Sequence, residues 1–180
     1  MSIRPPNPEL LTHGQIPKPM HGVAPREILG QDWWDKQRRA AYQKHQFHCW
    51  ACGVHKLKAK YHKWLEAHER YEIDYATGRM TFIGCCALCH SCHNFIHSGR
   101  LEALREKGEI SQERHDDIIK HGIEVMRRFG LSFPEAPEEV APWERWRMVV
   151  GEEEHPPKFA SYEIWARYYG YPEDAHAYAD

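Results

Sequence analysis

This chain of 180 residues has no uninterrupted apolar run near the roughly 20 residues that a membrane-spanning helix needs. It opens without the basic segment and apolar stretch of a secretory signal. A cytoplasmic location and no membrane partner are therefore expected. It also lacks an excess of positive charge: 24 Lys and Arg stand against 26 Asp and Glu, a net of −2. Bulk basicity cannot supply affinity for nucleic acid, so any such binding needs a local patch. Cysteine is missing before position 49 and after position 92, and the sequence shows no internal repeat. Apolar residues make up 42% and charged residues 28%, a globular composition and not a disordered one. The length suits one ordinary domain, or a small domain with substantial flanking structure.

What is present is concentrated. All six cysteines, and eight of the fourteen histidines, lie between His45 and His97. In a reducing compartment, paired cysteines read as metal ligands before they read as disulfides. Cys49-x-x-Cys52 and Cys89-x-x-Cys92 are two knuckles separated by 36 residues. Each knuckle brings two sulfurs to one ion, and two knuckles complete a tetrahedral thiolate shell suited to zinc. Cys85 and Cys86 lack a knuckle partner and read as residues of a strand end in the core, with Cys86 near enough to compete as a ligand.

The rest of the chain falls into segments. Six prolines between Pro5 and Pro25 make residues 1–30 an extended arm, laid over the domain or mobile. Residues 31–46 read as a helix with Asp32 near its start. Residues 61–75 read as a strand, 76–79 as a turn, and 80–84 as a second strand, which together make a β-hairpin. A helix follows from Cys89 to about Lys107, then another capped by Ser111 and running to Phe129. Beyond Gly130, prolines return among seven Trp, Phe and Tyr residues from Trp143 to Tyr169, which argues for packing. Trp33 and Trp34 read as core anchors. Charge is segregated. Residues 36–63 hold eight Lys and Arg and no acid, whereas residues 131–180 hold eleven acids against four bases. A basic segment beside a metal-type cluster can be a phosphate-contacting face; on its own it is more often a solvated surface.

Directly after the second knuckle comes His93-Asn94-Phe95-Ile96-His97. Residues four apart on a helix project from one face, so two imidazoles can reach one ion. Together with Leu65-Glu66-Ala67-His68-Glu69 and the run from Ala87 to His97, this pattern resembles the HNH nucleases, the ββα-metal or His-Me finger class. The resemblance covers about residues 49 to 97, and its most specific part is L-C-x-x-C-H-x-x-x-H.

The expected fold is α+β, mostly helical, and the resemblance implies its core over about residues 49–97. At its centre would lie a ββα-metal finger stapled by a four-cysteine zinc at Cys49, Cys52, Cys89 and Cys92, with flanking helices and an irregular aromatic-rich tail. The expected boundaries are an arm at 1–30, a nuclease domain at 31–130 with its core at 49–97, and an acidic C-terminal extension at 131–180. It implies metal-dependent hydrolysis of phosphodiester bonds in DNA, with one divalent cation (magnesium, manganese, nickel or zinc) held by His93 and His97. Two registers stay open for the first strand. Either His68 is the general base, with Glu66 or Glu69 helping to hold the metal, or His68 is a third ligand and Glu69 takes the base position. The family pattern has a ligand Asp or His directly before the base His; the first register departs from it at Ala67, where the ligand is missing, and the second in having Glu69 as the base. Lys56, Lys58, Lys60, Lys63 and Arg100 are the expected DNA contacts. His90 is expected to face solvent or to donate to a ligand, and His45, His48, His55 and His62 to meet phosphate or solvent. The alternative is a catalytically impaired zinc module that binds nucleic acid or a protein. A homodimer, or a protein partner through the C-terminal extension, completes the expected partners.

Overall fold

The computed structural model describes residues 5–171. They form a mixed α+β structure with five helices and one four-stranded sheet. The helices are α1 (Pro25–Lys44), α2 (His90–Ile96), α3 (Ser98–Glu106), α4 (Gln112–Arg128) and α5 (Tyr162–Tyr169). The strands are β1 (Glu66–Asp74), β2 (Arg79–Leu88), β3 (Arg147–Val150) and β4 (Glu153–His155), hydrogen-bonded in that order.

Two compact units interleave along the chain. The first takes described residues 5–15, 35–69 and 84–135; the second takes 16–34, 70–83 and 136–171. In the first, the apolar core joins Leu10, Leu11, Leu65, Leu88, Phe95, Leu101, Ile118 and Val125 to the buried sulfurs of Cys49, Cys89 and Cys92. Leu10 and Leu11 come from a short 3-10 turn, Pro8–Thr12, so this stretch of the arm is core rather than loose cover. Its backbone is tied down where Asn7 N–H donates to the Trp50 carbonyl at 2.6 Å. α4 begins at the expected cap, Ser111 Oγ accepting from Arg114 N–H at 3.2 Å. It then lies against α2 so closely that a Cβ at Gly122 would meet the Phe95 ring at 2.2 Å. Only glycine permits that approach.

In the second unit Met20, Tyr71, Met80, Trp146 and Met148 form the core. The hairpin turn is fixed by Asp74, whose carboxylate accepts from Thr77 N–H at 3.1 Å and from the Thr77 hydroxyl at 2.6 Å. β3 runs parallel to β2, with Arg79 opposite Arg147 and Thr81 opposite Val149; β4 returns antiparallel. A smaller cluster, Phe159, Trp165 and Ala166, holds α5.

Several expectations need correction. The C-terminal segment is not irregular: it supplies β3, β4 and α5. The sequence signal there is aromatic rather than alternating, and the strands form because β2 offers them an edge. The first strand starts at Glu66, not residue 61, and the second extends to Leu88. The helix after Cys89 is broken at His97, where φ is −92° and ψ 43°, into α2 and α3. The helix expected from residue 31 has a further stretch, 25–29, ahead of a break at Gly30. Trp33 and Trp34 are half-buried, not core.

Candidate functional site

The first knuckle is built by its backbone. Gly53 N–H donates to the Cys49 carbonyl at 2.8 Å and Cys49 N–H to the Val54 carbonyl at 2.8 Å. Gly53 sits at φ 78°, in the left-handed region where a side chain would be strained. Flanking residues His48 and His55 bridge as an isolated antiparallel pair. The second knuckle opens α2: Cys89 is its N-cap, and His93 N–H donates to the Cys89 carbonyl at 3.0 Å. Trp50 N–H donates to the Ala87 carbonyl at 2.8 Å and so ties the first knuckle to the end of β2.

The four sulfurs of Cys49, Cys52, Cys89 and Cys92 lie within 4.8 Å of one another and can hold a metal ion. Cys52 Sγ and Cys89 Sγ are 3.8 Å apart. A disulfide needs about 2.05 Å; the edge of a tetrahedron with metal–sulfur bonds of about 2.3 Å is about 3.8 Å. The protonation pattern agrees. Burial alone would raise Cys49, yet hydrogen bonds from the other three thiols bring it well below its ordinary value. Hydrogen bonding within the cluster pushes Cys89 and Cys92 up. The cluster thus favours a thiolate at Cys49, and a bound cation would displace the protons held on Cys89 and Cys92. Cys86 is buried in the core and Cys85 stands apart, its thiol pushed up to about 12 by burial and then by the charge of Glu69. Sequence reasoning missed His121 on α4, whose Nε2 lies 3.3 Å from Cys92 Sγ. No local spacing connects it to the knuckles.

A second cluster lies one residue further along the same helix. Ring nitrogens of His68 on β1, His93 on α2 and His97 at the α2–α3 break lie within 4.8 Å of one another. The ring centroids are 5.5 Å apart for His68 and His93, 5.0 Å for His68 and His97, and 4.8 Å for His93 and His97. His68 is buried and the other two are half-buried. Burial, then the charges of His93 and Arg100, bring His97 down to about 4, so its ring is neutral and its lone pair is available near pH 7.

Glu66 fixes the orientation of this cluster. Its Oε2 lies 2.5 Å from His93 Nδ1 and its Oε1 lies 2.7 Å from His90 Nδ1. Burial opposes its charge, but the hydrogen bonds from His90 and His93 hold its carboxyl well below the usual range. A carboxylate at Nδ1 makes that nitrogen the donor, which leaves His93 Nε2 with the free lone pair. Arg114 on α4 donates to His90 Nε2 at 2.8 Å, so His90 Nδ1–H is the donor to Glu66. His62, Glu66 and His90 also lie within 4.8 Å of one another. Both His90 nitrogens and the Glu66 carboxylate are occupied by these hydrogen bonds, however, and a guanidinium stands beside them. We therefore read this group as an orienting chain rather than a further cation site. Arg114 could not have been found by spacing, because it arrives from a distant helix.

The remaining expected residues are dispersed. Glu69 belongs to no metal-holding group among the described residues; its carboxylate is felt instead by Cys85. Arg100 is exposed on α3 and close enough to lower His97. Lys58 and Lys63 are exposed, with Lys63 Nζ donating to the Ala59 carbonyl at 2.9 Å. Lys60 is paired with Asp117, and Lys56 lies over the Phe47 ring at 4.4 Å. His45, expected to meet phosphate or solvent, is buried and stacked on Trp50 at 4.5 Å. Compared with known proteins, the chain matches no protein-family model, no curated protein and no solved structure.

Proposed function

We propose that this protein is a metal-dependent endonuclease of the HNH type, hydrolysing phosphodiester bonds in DNA. The thiol cluster would hold a structural zinc, and His68, His93 and His97 would form the reaction centre. One observation carries this reading: three imidazoles converge beside a hairpin and a helix that begins at a four-cysteine cluster. The second observation in its favour is the Glu66 carboxylate at His93 Nδ1, the arrangement by which proteins orient a ligating imidazole.

A divalent cation at the imidazoles would offset charge on the phosphate and on the leaving oxygen. The protein's own residues do the rest. His93 and His97, one helical turn apart, present their nitrogens together, and the neutral state of His97 keeps protons from competing for its lone pair. Arg100 adds a positive charge at the rim for the phosphodiester. His68 is the one imidazole carried by the strand. It either completes the nitrogen set or takes the proton from the attacking water. Glu69, outside the cluster, is not assigned a role in the reaction.

The test is nicking of supercoiled plasmid by zinc-loaded protein with magnesium, manganese or nickel, beside His68→Ala and His97→Ala. Metal-dependent nicking lost in both variants is the expected result. Manganese titration of His68→Ala then divides the roles: unchanged affinity makes His68 the base, and lost affinity makes it the third ligand. A folded, zinc-loaded wild type that binds DNA but cuts neither plasmid nor oligonucleotide would favour the binding-module alternative, with Ala67 the reason.

A further inference from the structure

Trp64 is 57% exposed, although its neighbour Leu65 is buried and starts the approach to β1. Its indole is nonetheless packed on one side. It lies flat on the His62 ring, with centroids 4.2 Å apart and planes 12° from parallel. His62 in turn meets His90 edge-on at 4.4 Å and 80°. His90 is bonded to Glu66, and Glu66 to His93. Trp64 is therefore the outer end of a chain of ring contacts and hydrogen bonds that leads to the three-histidine cluster. One face of the indole rests on imidazole, and more than half of the residue is exposed.

The turn that makes this stack is strained. Tyr61 sits at φ 70°, a left-handed conformation that a bulky residue rarely adopts. Three contacts hold it there. The Tyr61 hydroxyl donates to Asp117 at 3.0 Å, the Arg114 guanidinium lies over its ring at 4.7 Å, and its ring meets His90 at 5.5 Å. Strain of this kind persists where the surroundings over-determine it, and it clusters at ligand-binding sites. The segment from His55 to Leu65 contains four lysines and no acid; Lys63, exposed, directly precedes Trp64, and Lys58 is exposed six residues before it. An exposed indole carried on a lysine-rich, acid-free segment fits an anionic ligand that has its own flat ring.

We propose that Trp64, backed by His62, is a stacking platform for an unpaired nucleobase, so that the strand engaged at the three-histidine cluster is single-stranded or locally unpaired. Bases inside a duplex already have both faces covered by their neighbours; an unpaired base has a face to offer. The proposal rests on the nucleic-acid reading above and names the form of its substrate.

The test uses the full, zinc-loaded chain with no second cation added, so that nothing is cut. A labelled single strand of about 12 nucleotides, within the usual length range of single-strand sites, carries one 2-aminopurine, and its duplex serves as the comparison. Wild type is expected to bind the single strand more tightly than the duplex and to quench the 2-aminopurine. Trp64→Ala should weaken single-strand binding about tenfold or more, the effect expected of one base–aromatic stack, and abolish the quenching. Its duplex affinity, zinc content and melting temperature should stay at the wild-type values. Trp64→Phe should restore most of the single-strand affinity. The platform is overturned if Trp64→Ala leaves single-strand binding and quenching unchanged, if it lowers single-strand and duplex binding equally, or if wild type binds neither form. Because neither readout needs hydrolysis, the two readings can fail separately. Quenching that depends on Trp64, with neither plasmid nor the single strand cut once manganese is added, sinks the nuclease and keeps the platform; cleavage with an indifferent Trp64→Ala does the reverse.

Discussion

The thiol cluster and the imidazole cluster share one helix but are built on opposite plans. Cys49, Cys89 and Cys92 are buried, and both knuckles are formed by backbone hydrogen bonds. His93 and His97 are half-buried, and their cluster is oriented by side chains: Glu66, His90 and Arg114. A closed, buried sulfur shell is what a structural ion requires, whereas a reacting ion requires open positions and ligands held by an outer layer of hydrogen bonds. The difference teaches that the same few residues of α2 present a thiol cluster set by backbone and an imidazole cluster set by side chains, which the proposed function divides between stability and chemistry.

Breaking the first plan should have the largest effect. Cys92→Ser is expected to abolish zinc binding and the cooperative unfolding of the first unit, because a structural zinc contributes on the order of 10 kcal/mol. Elemental analysis and a circular-dichroism melt check this; one retained zinc per chain would contradict it. An intermediate effect is expected at Glu66→Gln, which keeps the shape but removes the charge that accepts from His93 and His90. Manganese affinity should fall about 10- to 100-fold, with zinc content unchanged, as read by calorimetry. Equal affinity in the variant would mean that the carboxylate does not orient the cluster.

The smallest effect sharpens the comparison through pH. An unfolded chain takes up the His97 proton as pH falls through its ordinary 6.5, but the folded chain does so only near 4. The stability this residue contributes is therefore complete above 6.5 and is lost as pH falls toward 4. With zinc bound and no second cation present, His97→Gln should flatten the fall in melting temperature across that window. His21, lowered by burial in the second unit, acts in the same direction and is untouched by the substitution. An unchanged slope would mean that His97 is not the group responsible.

What could be read from sequence was what is set by local spacing. The two knuckles, the placement of His93 and His97 a turn apart, the Ser111 cap and the turn after Asp74 all depend on neighbours within four residues. What could not be read depends on pairing across the chain. β3 and β4 carry no alternation strong enough to announce them and exist because β2 supplies an edge. His121 and Arg114 reach the two clusters from α4, and only the missing side chain of Gly122 lets that helix come so near. His45 looked like part of a basic surface because its charge neighbours are close in sequence, yet Trp50 covers it. Which of His68 and Glu69 faces α2 turns on where one strand lies against that helix, which spacing does not fix; it is the His68 ring that meets His93 and His97.

Cys92 and His93 are joined by a single peptide bond. In the proposed two-cation protein this sets an order of assembly. The helix that carries His93 starts at a cysteine of the sulfur cluster, so the chain must acquire its first ion before the second has a place to go. A cell short of zinc would make a protein deficient in both, however abundant the other cation.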